Sequence, residues 1–127
     1  MSSNPEVIVA VASGTGTSAV SLIRLSGSGV IGVVDRCCSI DVAGAAECSP
    51  REQRMCRILA DDGSVTDEVL LTVFPGPRSY TGEDVIEIGC HGGRLITRKV
   101  VERMIACGAR PACAGEFTER AFVNGKM

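Results

Sequence analysis

The chain has 127 residues and a formal net charge of −2, a length that fits one compact domain with its own core. With 45% hydrophobic and 22% charged residues, the composition is that of a globular protein and not of a disordered chain. Three Phe, one Tyr and no Trp argue against a nucleic-acid surface built from stacked aromatic rings, and the acidic balance argues against a broad phosphate-binding face.

Cysteine usage indicates the compartment. There are seven cysteines and a single histidine. The cysteine number is odd, Cys37 and Cys38 are adjacent and no CxxC pair occurs, so we predict neither a disulfide framework nor a metal site. Free cysteines indicate a reducing compartment. No apolar run approaches the roughly 20 residues of a membrane-spanning helix, and the start lacks the basic residues of a secretory signal, so we predict no membrane contact and no secretion.

The first half of the chain begins with two strand patterns. Residues 6–13 are rich in Val and Ile and end in the loop SGTGTS, and residues 19–26 form a second alternating run. In this second run Val20, Leu22 and the aliphatic stem of Arg24 share one face. We therefore expect two strands joined by a glycine-containing loop.

The middle of the chain contains a helix and a hairpin. Ser28 is placed to cap a helix that ends near Cys38, and residues 39–52 form a polar connection without a clear period. Residues 54–74 contain two strand-like arms around the turn residues Asp-Gly at 62–63, which predicts a β-hairpin.

The last third contains one strand and two helices. Residues 84–90 alternate as a strand, and residues 94–107 show the period of an amphipathic helix. A short final helix is predicted to start near Glu116, with Phe117 and Phe122 docked on the sheet. Together these elements predict an α+β fold with a mixed four- to five-stranded sheet and about three helices.

One carboxylate stands out in the strand at 84–90. Side chains alternate there, so Ile86 and Ile88 point to one face while Glu87 points to the other. A half-solvated strand accounts for Glu87 without any function. Alternatively, Glu87 lies on the floor of a pocket walled by the Pro-Gly-Pro loop at 75–77. There it would pair with a ligand that presents two adjacent N–H donors, such as a guanidinium or a 2-amino-4-oxopteridine.

Other charged residues have structural explanations as well as functional ones. Arg24 lies in an apolar strand and must either extend to the surface or meet an anion. Lys126 follows an Asn-Gly turn and is solvated by default. His91 fits a strand-end hydrogen-bonding residue, and in the last helix Glu116 complements the helix dipole while Arg120 lies on the exposed side. No catalytic residue is predicted, and no GxxxxGK[ST] phosphate loop is present.

Two long motifs resemble a known family. FPGPRSYTGEDVIEIGCHGG at 74–93 and GEFTERAFVNGKM at 115–127 are similar to the N-terminal domain of the tRNA modification GTPase family, MnmE, also called TrmE. IVAVASGTGTSAVSLIRLSG at 8–27 is similar to that domain's first strand, loop and second strand. Residues 1–127 are therefore identified as a single N-terminal domain of this family.

The resemblance implies a fold and a ligand. The fold is an α+β domain similar to the folate-binding module of aminomethyltransferases, which forms homodimers and holds 5-formyltetrahydrofolate or 5,10-methylenetetrahydrofolate near the subunit interface. The resemblance places Arg24, Glu87 and Lys126 in contact with this folate. We hypothesise that Glu87 pairs with the donor edge of the pterin, while Arg24 and Lys126 meet its carbonyl or the glutamate carboxylates. Where the family has the loop Pro-Pro-Gly-Arg-Gly-Gly, this chain has Gly-Thr-Gly-Thr-Ser-Ala at 14–19. Ala114 stands where the family has a proline.

The resemblance also implies a larger context. In the family, a helical domain with an inserted GTPase domain follows and uses GTP, magnesium and potassium; these domains are absent from this chain, so no GTP hydrolysis is expected from it. The complete protein works with the flavoprotein MnmG (GidA) on the wobble uridine of tRNA, in the bacterial cytoplasm or in mitochondria. Two alternatives remain: a purely structural dimerisation module with a degenerate folate site, and a free-standing folate-dependent transferase, which the lack of a paired acid and nucleophile disfavours.

Overall fold

The computed structural model describes residues 6–12, 20–40 and 49–126. Within them lie seven strands and three helices. In chain order these are β1 Ile8–Val11, β2 Val20–Ser26, α1 Val30–Cys37, β3 Cys38–Ile40, β4 Arg54–Leu59, β5 Val65–Phe74, β6 Val85–His91, α2 Arg94–Ala106, β7 Arg110–Pro111 and α3 Glu116–Val123. The α+β class is confirmed, whereas the expected four to five strands are too few.

The strands form one mixed sheet in the order β3-β4-β5-β6-β2-β1-β7. Only the β1–β7 pair is parallel among the described strands, and the other neighbours are antiparallel. The two strands that the sequence did not predict are the edge strands β3 and β7. They have three and two residues, which is too short for a period-2 pattern to be recognised.

Helices α1 and α2 pack against each other and cover one face of the sheet. Ile23 of β2 and Ile86 and Ile88 of β6 point into this core and are fully buried. Each such side chain contributes roughly 1.5–3 kcal/mol by leaving water. Residues between them, including Arg24 and Glu87, point the other way. We call that side the second face; its residues on the three central strands include Val20, Leu22, Arg24, Leu70, Thr72, Glu87, Gly89 and His91.

The hairpin prediction is confirmed and one capping prediction is wrong. The β4–β5 turn contains residues 62–63, and the backbone and hydroxyl of Ser64 both donate to Asp62 Oδ1, at 2.9 and 2.6 Å. Helix α1 has Gly29 as its N-cap residue and no side-chain cap hydrogen bond, so Ser28 is not the predicted cap.

The last helix differs from its prediction in one contact. Phe117 is half-buried, but Phe122 is 71% exposed, so the expected docking of Phe122 on the sheet is wrong. The reason is helical geometry: residues five apart in an α-helix point in different directions, and α3 directs Phe117 and Ala121 inward.

The family's loop position at 14–19 lies outside the described residues.

Candidate functional site

Arg24 and Glu87 form an ion pair on the second face. They are directly opposite each other in the β2–β6 ladder, so both side chains leave the same face of the sheet. Arg24 Nε and Nη2 both donate to Glu87 Oε2, at 2.9 and 2.7 Å, and each side chain is 23% exposed. Of the two alternatives that the sequence left for Arg24, the structure shows the second: Arg24 meets an anion, Glu87.

Two aromatic rings flank the Arg24 guanidinium. Its Cζ lies 5.2 Å from the Tyr80 ring centroid and 6.0 Å from that of Phe117, distances at which a cation is attracted to a ring face. The Tyr80 hydroxyl is 2.8 Å from the Thr118 hydroxyl, which ties the β5–β6 loop to α3. Both rings lie within the two long motifs, but no local sequence pattern places either of them beside Arg24.

The β5–β6 loop, residues 75–84, is held by its own hydrogen bonds. Gly76 N–H donates to Asp84 Oδ1 at 2.9 Å, and Ser79 Oγ donates to the Glu83 carbonyl. The Gly76–Pro77 peptide is cis. A Cβ at Gly76 would lie 2.6 Å from the Gly82 carbonyl oxygen, so only glycine permits this close approach of the two loop arms.

Lys126 packs on this same loop. Its Cγ lies 3.3 Å from the position that a Cβ on Gly82 would occupy, and Asn124 Nδ2 donates to the Thr81 carbonyl at 2.8 Å. Lys126 is exposed, and among the described residues no ion pair joins it to Glu87. The structure therefore brings Arg24 and Glu87 together, and it places Lys126 on the loop that also carries Tyr80.

A second ion-pair cluster fastens α3 to the rest of the domain. Glu116 accepts two hydrogen bonds from Arg110, at 2.8 and 2.5 Å, and Arg120 Nη2 lies 3.4 Å from its Oε2. Arg120 also donates to Glu83 Oε1 at 3.0 Å, and Ser26 Oγ donates to the same oxygen at 2.8 Å. We call these five residues the α3 anchor. Because the loop residue Glu83 belongs to it, the anchor also positions the loop beside Arg24.

The anchor corrects two sequence interpretations. The Arg120 side chain is only 7% exposed, so it does not lie on an exposed side of the helix. Glu116 does more than complement the helix dipole: hydrogen bonds from Arg110, with those from the Cys113 backbone and the charge of Arg120, lower its pKa to about 2. The same pairing raises the pKa of Arg110.

An open cavity of about 480 Å³ extends along the second face from Glu87 to His91. Its floor is Gly89, and much of its wall is apolar. Val20, Leu70 and Met55 line it and are 61%, 43% and 58% exposed. Isolated exposed apolar residues are ordinary, but a contiguous apolar surface of this kind is typical of a binding site.

His91 ends this cavity in a fixed orientation. Its Nδ1 lies 2.7 Å from Asp67 Oδ1, and its backbone N–H donates to Asp67 Oδ2 at 2.9 Å. Asp67 therefore holds both the backbone and the ring at the end of β6. This is the strand-end hydrogen bonding that the sequence predicted.

The described residues contain neither a metal-binding group nor a membrane-spanning helix. No group of three or more His, Cys, Asp or Glu side chains in residues 6–12, 20–40 and 49–126 is placed to hold a metal ion. None of the helices in the described part of the chain has both the length and the apolar character needed to cross a membrane.

Comparison with known sequences gives the family. The family described as "GTP-binding protein TrmE N-terminus" matches residues 7–126. The chain belongs to this family. Its relatives include proteins named tRNA modification GTPase MnmE: that of Akkermansia muciniphila is 43% identical over 125 residues, that of Pseudothermotoga lettingae 42% over 123, and that of Wolinella succinogenes 39% over 126.

The match covers the chain almost completely but only part of each relative. The three alignments include 98%, 97% and 99% of this chain and 27%, 26% and 26% of the respective relatives. The chain thus corresponds to about a quarter of those proteins. The activity in the relatives' names belongs to proteins about four times as long as this chain, so for this chain it is only proposed below.

Proposed function

We propose that this domain binds a one-carbon tetrahydrofolate between the Arg24–Glu87 pair, the 75–84 loop and α3, and that it forms homodimers. The observation that carries the proposal is the Arg24–Glu87 pair itself: a half-buried donor and acceptor beside two aromatic rings. Slots of this kind, with polar groups at fixed positions among apolar walls, suit flat heterocyclic ligands.

The pair leaves capacity for a ligand on both partners. Both bonds from Arg24 fall on Glu87 Oε2, which leaves Oε1 without a partner among the described residues; we propose that it accepts from the 2-amino and N3–H groups of a pterin. Arg24 uses Nε and Nη2 for Glu87, and we propose that its Nη1 donates to the 4-oxo group. In this proposal Glu87 pairs with the donor edge of the pterin, and Arg24 orients Glu87 and donates to the pterin carbonyl.

The surrounding loop supports this assignment through preorganisation. Hydrogen bonds within residues 75–84 and from Asn124 fix the loop before any ligand arrives, which reduces the entropy lost on binding. Tyr80 and Phe117 offer apolar ring surface beside the charged pair. Lys126 is exposed and packs against the same loop; we propose that it meets the glutamate carboxylates of the folate, and its contribution should be screened by salt.

We further propose that the domain works within a longer tRNA modification GTPase that uses GTP, magnesium and potassium in its GTPase domain. In that protein, the domain supplies folate-bound carbon for the wobble uridine of tRNA, together with the flavoprotein MnmG. The support is the family membership and the name that the relatives carry. The bacterial origin of those relatives supports action in the cytoplasm.

Calorimetric titration with 5-formyltetrahydrofolate tests folate binding. We expect wild-type chain to bind and Glu87→Gln to bind more weakly by about 1.5–3 kcal/mol, because a charge-assisted pair is lost. Glu102→Gln is the matched control: it makes the same charge change at an exposed position of α2 and should leave affinity unchanged. Equal affinities for Glu87→Gln and Glu102→Gln would reject the role of Glu87.

A purely structural dimerisation module is the second function to consider. It is favoured by a different observation, the exposed apolar side chains Val20, Met55 and Leu70 on the second face. Leu70→Arg should then lower the molecular mass in solution to that of a monomer. Leu95→Arg, at a 62% exposed position of α2, should not. A dimer that binds no folate would support this function and reject the first.

A further inference from the structure

The exposed side of α2 is basic, although the chain as a whole has 13 basic and 15 acidic residues. Arg94, Arg98 and Lys99 are exposed and Arg103 is half-buried, whereas Glu102 is the one acidic residue of the helix. At 3.6 residues per turn, the four basic residues lie on the side of α2 opposite its buried residues. We call these four residues the α2 basic face.

The order of charges along α2 opposes helix formation. Arg94 and Arg98 are four residues apart, and so are Lys99 and Arg103, so each pair places like charges next to each other on the helix surface. The first turn has no acidic residue, and Arg94 lies there, where the helix dipole disfavours a positive charge. The stability of α2 therefore does not explain this pattern.

The basic face is not neutralised within the domain. Within residues 6–12, 20–40 and 49–126, no ion pair involves any of its four members. The buried Nε of Arg103 also has no hydrogen-bond partner there. Other arginines of the domain are paired, as Arg24 is with Glu87 and Arg110 with Glu116. Cations that lack an internal partner attract an external anion.

The face has room for more than one anionic group. An open cavity of about 410 Å³ is lined by Arg94, Leu95 and Arg98. A second cavity, of about 430 Å³, separates α2 from the β4–β5 hairpin, and the charged residues that line it are Lys99, Arg103, Asp61 and Glu102. The first cavity is thus the more positive. The midpoints of the two like-charge pairs are about 7.5 Å apart along the helix axis, which suits an extended polyanion better than one small anion.

We propose that the α2 basic face binds phosphate groups of an RNA backbone, and that this RNA is tRNA. The proposal rests on the tRNA-modifying context proposed above, but it uses no residue of the folate site. Guanidinium groups donate to phosphate oxygens in bidentate fashion. Backbone contacts need no stacked aromatic rings, and the acidic balance of the chain opposes a broad phosphate-binding face but not a single basic helix.

An anionic membrane is the less favoured partner for this face. A helix that lies on a membrane inserts a row of large apolar side chains. On the exposed side of α2 the only such side chain is that of Leu95, which is 62% exposed. Between Arg94 and Arg98, Leu95 is placed to contact a ribose while the two guanidinium groups meet the phosphates on either side.

Fluorescence anisotropy with a labelled tRNA transcript, between about 50 and 200 mM salt, tests the proposal. Each phosphate contact contributes about 0.7–0.9 to the slope of log K against log salt, so four contacts predict a slope of about −3 for the wild-type chain. Replacing Arg94 and Arg98 together by Gln should make the slope shallower by about 1.5 and weaken binding roughly tenfold at the lowest salt.

The matched control is the double replacement of Arg51 and Arg57 by Gln, which removes the same charge from other surfaces. Arg51 donates to the Arg78 carbonyl, and Arg57 pairs with Glu68 on the second face. This variant should keep the wild-type slope. Equal slopes for the two double variants, or a wild-type chain that does not bind tRNA at the lowest salt, would overturn the proposal.

Glu102→Gln provides a test that poor folding cannot imitate. It removes the acidic residue beside the basic face, so the variant should bind tRNA more tightly than wild type; weaker binding would contradict the proposal. Vesicles containing phosphatidylserine identify the alternative partner: loss of vesicle binding by the Arg94 and Arg98 variant with unchanged tRNA binding would replace RNA by a membrane. Calorimetry with 5-formyltetrahydrofolate should give wild-type affinity for every α2 variant, so the two proposals fail separately.

Discussion

The α3 anchor and the Arg24–Glu87 pair both join separate elements by ion pairs, but their carboxylates are used differently. In the anchor both oxygens of Glu116 accept guanidinium N–H groups, and its side chain is 8% exposed. In the pair both donors fall on one oxygen of Glu87, and each side chain is 23% exposed. A carboxylate whose acceptors are all used stabilises structure, whereas a partly used one can still receive a ligand. We infer that the first cluster is structural and the second is suited to binding.

Glu116→Gln is the strongest test of whether the α3 anchor stabilises the fold. We expect a loss of about 3 kcal/mol in the free energy of unfolding, because Arg110 and the buried Arg120 would each lose one of their two counter-charges and keep only Glu6 and Glu83. Urea denaturation measures it. Glu119→Gln, an exposed position of the same helix, should change stability by less than about 0.5 kcal/mol. Coinciding midpoints for these two variants would show that the anchor is not structural.

Acid should weaken the same cluster. The pKa of Glu116 is lowered from 4.5 to about 2, so its stabilising charge is fully present above 4.5 and is lost as the pH falls through that range towards 2. The advantage of wild type over Glu116→Gln should therefore shrink by on the order of 2 kcal/mol across this window. Urea midpoints of both proteins at successive pH values measure the change. An advantage that stays constant down to pH 2 would contradict it.

Contact between the 75–84 loop and the end of α3 can be tested through two glycines. Gly82 has φ +84°, and a Cβ there would lie 3.0 Å from Asn124 Cβ; Gly63 has φ +86° and nothing within 4 Å. Both Gly→Ala changes incur the strain of a positive φ, about 1 kcal/mol. Gly82→Ala should cost more, by roughly 1 kcal/mol, because the end of α3 must move. The difference in unfolding free energy isolates the contact, and equal losses would exclude its importance.

Glu87→Gln should have the smallest effect on folding. The pair is partly exposed, so its loss should reduce the free energy of unfolding by only about 0.5 kcal/mol, although the same change weakens folate binding. Thermal or urea unfolding without ligand measures the first effect. A loss as large as that of Glu116→Gln would mean that Glu87 is a structural residue, and the distinction between the two clusters would fail.

Much of the fold could be predicted because its signals are local. Alternation in β2, β5 and β6, the Asp-Gly turn at 62–63 and the period of α2 each depend on neighbouring residues. The edge strands β3 and β7 were missed because they exist through pairing with β4 and β1 and carry no pattern of their own. The similarity to the folate-binding module of aminomethyltransferases stays a prediction.

The candidate site was predicted by residue type but not by partner. The sequence indicated that Arg24 either extends to the surface or meets an anion and that Glu87 leaves the core face, yet it gave no register between their strands. The sequence prediction that Arg120 is exposed was wrong, because a charged residue in a short helix is exposed by default. Its burial is favourable only because Glu83 of the loop and Glu116 at the start of α3 both pair with it. The contacts of Tyr80 and Phe117 with Arg24 likewise had no local signal.

By itself the sequence determined the family, the α+β class and the faces that its central strands present, since these follow from long motifs and from the period-2 geometry of a strand. Tertiary structure alone decided that Arg24 faces Glu87 and that Arg120 is buried in an anchor. The Arg24–Glu87 ion pair and the hydrogen bond from Arg36 to the Cys107 carbonyl join residues 63 and 71 positions apart, so they depend on strand register and helix packing. Those arise only when the whole chain folds.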